Sequence, residues 1–428
     1  MSSISSLQLQ GTRRRALLPI ASAALALAVA ACGGPTSPGE NASPPMMTEL
    51  PRQLTAAERS AVVAGNHFSI SLFRSVNQAM PAGENVAISP FSASVALGMT
   101  MNGAAGATYD AMRSTLGLDG ESEADINTAY RDLWKLLAGL DPSIQLTSAN
   151  AIFYRNNLQV APAFARTSQD YFDAALRALD FGQEKASLAE INGWASEKTN
   201  GRIPKVLDEI DDDHVMFLLN ALYFKGEWRA RFDAARTTPG PFLGDDGVSR
   251  TVPLMHASNM PMLLGGDATA TVGELAYGNG AYAMTIMLPQ RGQSVDDFIV
   301  GLTPERWSTL IGSMHEAGRE VVLPKFTLKY SGKWNDVLTG MGMGIAFTRQ
   351  ADFSRLFSET DNIELDFVKQ DVFLAVDEVG TEAAAVTTVG ATVTSMPAPF
   401  SVDRPFVFAI RDRLSGTILF IGAVKRLG

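Results

Sequence analysis

Residues 378–399 read Glu378-Val379-Gly380-Thr381-Glu382-Ala383-Ala384-Ala385-Val386-Thr387-Thr388-Val389-Gly390-Ala391-Thr392-Val393-Thr394-Ser395-Met396-Pro397-Ala398-Pro399. Long loops ordinarily carry Asn, Asp, Pro and scattered Gly, because those residues make turns. This stretch is small and β-branched instead, and Glu382 is its one charge between Thr381 and the prolines. Every second residue from Thr381 gives Thr, Ala, Ala, Thr, Val, Ala, a face small enough to slip between two existing strands. The alternate face, from Glu382 to Thr392, is mildly polar and suits solvent. A two-residue period with that size limit is what joining a sheet requires. Periodicity alone leaves three readings open: a segment able to enter a sheet, a strand already in one, or a disordered Ala/Thr linker.

Outward from this segment, residues 373–379 read as an interior strand that Gly380 ends. Further strands, rich in β-branched and aromatic residues, are predicted over 146–154, 215–224, 281–288, 320–326, 406–411 and 418–424. Val62, Val63, Ile70, Phe73 and Val76 recur at helical spacing within 57–79. Ser89-Pro90 reads as a helix start, Ser as cap and Pro in the first turn, leading into the apolar run 93–101. Helical patterns continue over 109–116, 124–140, 162–174 and 187–199. Helices early and strands late, without regular alternation, indicate an α+β fold.

The N-terminus has its own logic. Arg13, Arg14 and Arg15 precede an apolar run over 16–31, too short for a stable membrane span, which ends Val29-Ala30-Ala31-Cys32. That ending resembles the bacterial lipobox, which implies a signal peptide over 1–31, acylation of Cys32, and a lipid-anchored address at a bacterial cell envelope, outer membrane or surface, or an extracellular one. Residues 32–56, rich in Gly, Pro, Ser and Asn, read as a flexible tether, and 57–428 as one folded unit. Cys32 is the single cysteine, so no internal disulfide is expected. A formal net charge of -10 excludes nucleic acid as a partner, since phosphate binding needs clustered Lys and Arg. His67, His214, His256 and His315 lack metal-ligand spacing, and neither a metal nor a cofactor is called for. No G-x-S-x-G elbow is present, and Gly340 to Gly344 reads as a turn rather than a nucleotide loop.

Five motifs in order carry a family resemblance: Asn85-Val86-Ala87-Ile88-Ser89-Pro90-Phe91-Ser92, Asn220-Ala221-Leu222-Tyr223-Phe224-Lys225-Gly226-Glu227-Trp228, Leu323-Pro324-Lys325-Phe326, Glu378 to Ala385, and Asp403-Arg404-Pro405-Phe406-Val407-Phe408. Together they resemble the serpins. The resemblance implies early helices on a large mixed central sheet, smaller sheets beside it, and an exposed reactive-centre loop at about 379–399. It implies a hinge at Glu378, Gly380, Thr381, Glu382, Ala383, Ala384 and Ala385. Counting seventeen positions inclusively from Glu378, it implies a scissile bond at Thr394-Ser395, with Val393 as the alternative. It further implies a gate where Glu378 and Lys325 pair beside Trp228. A central polar shutter is implied at Ser89, Ser92 and Asn192, with Gln370 where many serpins carry histidine. The protein would then be no enzyme but a monomeric, single-use inhibitor that forms a covalent complex with a serine protease. An uncharged, small Thr394 suits elastase-like or subtilisin-like targets, and a cysteine protease is a further one. Membrane contact would come through the lipid anchor alone. The alternative is a non-inhibitory member serving as a surface-binding protein.

Overall fold

Thr55 starts the first helix, α1 (Ala56–Ala79), by a reciprocal cap: its side chain accepts from Glu58 N while the Glu58 carboxylate accepts from Thr55 N. The computed structural model describes residues 45–211, 213–358, 363–381 and 398–428. The signal peptide, Cys32, most of the tether, Glu382 to Ala385, Thr394 and Ser395 lie outside the described residues. The described end of the tether lies on the folded unit. Met47 N donates to Asn279 O at 2.8 Å, Arg52 pairs with Glu58, and Met47, Leu50 and Leu54 pack on the core. Apolar side chains at these positions give the segment a body to lie on.

Helix α2 (Pro90–Met101) is buried throughout, as its mostly apolar composition allows, and Ser92, Ser94 and Thr100 are each hydrogen-bonded. Ser89 holds the cap position, yet its hydroxyl does not cap: it donates to Leu419 O at 2.8 Å. Helices α3 (Gly106–Thr115), α4 (Glu123–Ala138), α5 (Pro162–Phe172) and α6 (Glu184–Lys198) follow, and α7 (Val295–Val300), α8 (Pro304–Gly312) and α9 (Asn335–Leu338) come later.

The larger sheet runs β1 (Val86–Ile88), β17 (Ile418–Val424), β16 (Phe406–Asp412), β9 (Tyr282–Pro289), β8 (Ala270–Ala276), β7 (Ser249–Gly266), β10 (His315–Pro324) and β15 (Phe400–Ser401), with β6 (Thr238–Leu243) paired to β7. The six-stranded sheet runs β11 (Phe326–Lys333), β13 (Val368–Val376), β14 (Gly380–Thr381), β5 (Met216–Glu227), β2 (Gln145–Arg155) and β4 (Ala175–Leu179). A short pair joins β3 (Gln159–Val160) to β12 (Phe357–Ser358). The six-stranded sheet is mixed: β13–β5 and β2–β4 are parallel, its other pairs antiparallel. The expected strand over 320–326 divides at Lys325, where β10 ends in one sheet and β11 begins in the other.

Helix α2 packs against β17 on one side and β5 on the other, so the main core lies between the sheets. A second cluster sits under α6, where Phe153, Phe181, Ile191, Trp194 and Phe217 are buried. Residues 151–153 of β2 and 216–219 of β5 are therefore covered on both faces and read as short apolar runs.

Candidate functional site at the head of a split sheet

The chain reverses after β13 through an Asx turn. Asp377 Oδ1 accepts from Val379 N at 2.9 Å and Gly380 N at 3.2 Å, and Asp377 N donates to Gly380 O at 2.9 Å. This corrects the expected strand over 373–379. The strand ends at Val376, and Gly380 begins the returning strand instead of ending the first. Gly380 pairs with Glu227 and Thr381 with Gly226 on β5, while Thr381 pairs with Val376 on β13. A Cβ at Gly380 would lie 2.1 Å from Gly226 O, so only glycine lets the chain enter here.

Below that point the sheet is split. Strands β13 and β5 pair directly only at Val368–Gln370 with Leu218–Asn220. Between this short ladder and the Gly380–Thr381 wedge, residues 371–375 and 221–225 have no ladder partner on their facing edges among the described residues.

Side chains clasp the wedge. Thr381 is buried, and its hydroxyl lies 2.7 Å from Tyr277 Oη. The Tyr277 ring stacks on Trp228, centroids 4.4 Å apart and 10° from parallel. Burial pushes the Tyr277 phenol far above its ordinary range, so it stays protonated, and the Thr381 hydroxyl only partly opposes that. Trp228 Nε1 donates to Asp377 O at 2.8 Å, and its backbone N donates to Val379 O at 2.7 Å. Glu378 accepts from Lys325 Nζ and from Thr237 Oγ1, both at 2.8 Å. Burial alone would raise the Glu378 carboxyl, but these two bonds and a backbone one hold it below its ordinary range. Trp228, Lys325 and Glu378 are thus gathered on one turn. Tyr277 and Asp377 were not anticipated. Asp377 was legible as an Asx-turn former three residues before a glycine; Tyr277 carries no local signal.

At the foot of the split lies a buried polar cluster. Gln370 Oε1 accepts from Ser89 N at 2.7 Å, and Gln370 Nε2 donates to Ser89 O at 2.9 Å. Ser92 Oγ donates to Asn220 Oδ1, and Asn220 Nδ2 donates to Asn150 Oδ1 at 2.7 Å. Ser89, Ser92 and Gln370 therefore come together, but Asn192 does not join them. Asn192 sits on α6 and accepts from Val206 N at 2.7 Å and Leu207 N at 2.9 Å, ordering the segment after that helix. Asn220 occupies the place expected of Asn192, because β5 and not α6 faces the start of α2. The signal was present as a polar residue inside an apolar strand, paired in register with another, Asn150.

Among the described residues no group of His, Cys, Asp and Glu could hold a metal ion. Comparison with known proteins gives a consistent result. The family model for serpins (serine protease inhibitors) matches residues 63–427. Iripin-1 of Ixodes ricinus is 33% identical over 371 residues, 85% of this chain and 94% of the relative. The leukocyte elastase inhibitor of Sus scrofa is 33% identical over 379 residues, 85% of this chain and 98% of its own. The native state of tengpin, a thermophilic serpin, superposes with a TM-score of 0.79 at 32% identity, covering 90% of this chain and 97% of tengpin.

Proposed function

Since the chain belongs to the serpin family of serine protease inhibitors, we propose that it is an irreversible suicide-substrate inhibitor with its bait bond at Thr394-Ser395. The observation that supports this most is the wedge of Gly380 and Thr381 between β13 and β5, at the head of a split whose facing edges lack ladder partners among the described residues.

Continuing the observed register gives the path of insertion. Residues 382–386 would face 375–371 on β13 and 225–221 on β5, and Thr387 would arrive between Gln370 and Asn220. Thr381 points inward, so Ala383, Ala385 and Thr387 would follow it on the tightly packed side. Glu382 would lie outward, beside Lys225. The small face read from the sequence is the face this register buries.

The chemistry belongs to the target. Its serine attacks the Thr394 carbonyl, an ester forms to Thr394 as the peptide bond to Ser395 breaks, and the freed amine takes its proton from the target's histidine. Water would normally hydrolyse the ester. Insertion of the freed loop drags the acylated protease across the molecule before that happens. About a dozen inserted residues would add a comparable number of ladder bonds, at about 1 kcal/mol net each. That sum matches or exceeds the ~5–15 kcal/mol stability of an ordinary domain, so the uncut form is held by a barrier. Elastase-like and subtilisin-like enzymes suit a small uncharged Thr394. Acylation at Cys32 would tether the inhibitor to a membrane.

The test mixes the purified chain with an elastase-like and a subtilisin-like protease and separates the products on denaturing gels. A covalent band, with mass spectrometry placing the cut after Thr394, is the expected result. Clean cleavage with no band, or a nicked protein that melts no higher than the intact one, refutes the reading.

A further inference from the structure

A cleft of ≈ 600 Å³ opens away from the polar cluster, walled by Met260, Met262, Leu263 and Leu275 and floored by Glu274 and Arg413. Its volume falls within the range of small-molecule sites, and an apolar wall with a few convergent polar groups is their usual composition. Methionine side chains adapt their shape to an apolar partner.

The floor is a built charge arrangement. Glu274 is 1% exposed and fully engaged: Oε2 accepts from Arg411 Nη2 at 2.6 Å, Arg411 Nε at 2.9 Å and Thr285 Oγ1 at 2.7 Å, and Oε1 accepts from Arg413 Nε at 2.9 Å. Arg413 Nη1 donates to Gly280 O at 2.9 Å. The guanidinium is thereby fixed in place, and its Nη2 has no protein partner among the described residues. Two largely buried guanidinium groups share the Glu274 carboxylate, and Arg411 also lies within electrostatic reach of Asp412. Asp412, between them in sequence, turns into its own loop and accepts from Leu414 N and Ser415 N. Arg229 and Glu316 line the same cleft.

We infer that this cleft binds an amphipathic monoanion, a carboxylate seated on the Nη2 edge of Arg413 with an apolar chain lying along Met260, Met262, Leu263 and Leu275. The unpartnered Nη2 edge offers a carboxylate one charge-assisted donor, and the methionine wall suits a flexible hydrocarbon. The site neighbours the wedge through the chain itself: Arg229 follows Trp228, and Ala276 precedes Tyr277.

The test is calorimetric titration of the full chain with sodium decanoate, 1-decanol and sodium acetate, with no protease present. Decanoate binds saturably at one site, and decanol and acetate bind at least about 10-fold more weakly, the worth of a charge-assisted bond or of the apolar contact. Ala317→Trp, which fills the cleft and leaves the Glu274 pairs intact, abolishes decanoate binding. Arg413→Gln weakens decanoate about 10-fold or more and leaves decanol unchanged. The inference is overturned by the absence of saturable decanoate binding, by decanol binding as tightly as decanoate, or by decanoate binding unaltered in Ala317→Trp. The readout is independent of inhibition, so failure here and failure of the inhibitory reading are told apart.

Discussion

Replacing Gln370 by alanine should turn a slow conformational loss into a fast one. Inserting a strand between β13 and β5 moves them apart by one strand spacing, ~4.8 Å. Gln370 on β13 holds Ser89, and Asn220 on β5 holds Ser92, and both serines sit at the start of α2. No hydrogen bond stretches that far, so both tethers cannot survive the parting. Gln370→Ala removes one tether in advance and leaves Ser89 N buried without its partner, while Ser89 O keeps its bond from Ala93 N. At ~1–3 kcal/mol for the stranded N–H, the native form is destabilised by about 2 kcal/mol. If the transition state for parting has already lost these bonds, the barrier falls by the same amount, and 2 kcal/mol alone is worth about 30-fold in rate. The assay holds the uncut protein at one temperature below its melt and follows, on native gels, the growth of a heat-resistant form. A rate within about threefold of wild type would refute the reasoning. Gln370→His sharpens it. Neutral imidazole can donate and accept, but imidazolium only donates, so the bond from Ser89 N is lost as pH falls through about 6.5 and below. The variant should convert faster in acid, while wild type, having no titrating group at this position, shows no such step.

Three further substitutions test the head of the split. Thr381→Arg would bury a cation beside Tyr277, so the variant should be cleaved by the target protease as a substrate and leave no covalent band on a denaturing gel. Gly380→Ala places a Cβ against Gly226 O; the wedge should leave the sheet, read as faster proteolysis within 380–381 and a blue or red shift of Trp228 emission. Glu378 is held below its ordinary carboxyl range, so its contribution to stability is present above about pH 4.5, the ordinary glutamate value, and is lost as pH falls through the lower folded value. Melting curves should show wild type losing more than Glu378→Gln on acidification, and equal losses would remove Glu378 from the account.

The sequence carried the elements whose signals are local. The helices at 56–79 and 90–101 stand within a residue or two of where spacing and Ser89-Pro90 put them. Late strands such as 418–424 are as read, because fully buried β-branched runs have no competing pattern. What escaped depended on partners far along the chain. Gly380 looks like a strand terminator in isolation, and only the side chain of Asp377 and the backbone of Gly226 turn it into the start of a strand. Asn220 was hidden inside an apolar motif that identified the family, and its role needs Ser92 and Asn150, each many residues away. Tyr277 meets Thr381 through the tertiary fold alone.

Strand β17 sits inside the larger sheet, flanked by β1 and β16, with Val86 registered against Ala423. Two of the earliest and latest parts of the molecule therefore complete each other. Helix α2 can pack on β5, but β1 pairs only with β17 among the described strands, so the larger sheet closes at that edge last. Contacts of such long sequence separation also make the search slow. The slow search is thus a property of the topology, in which Val86 must wait for Ala423.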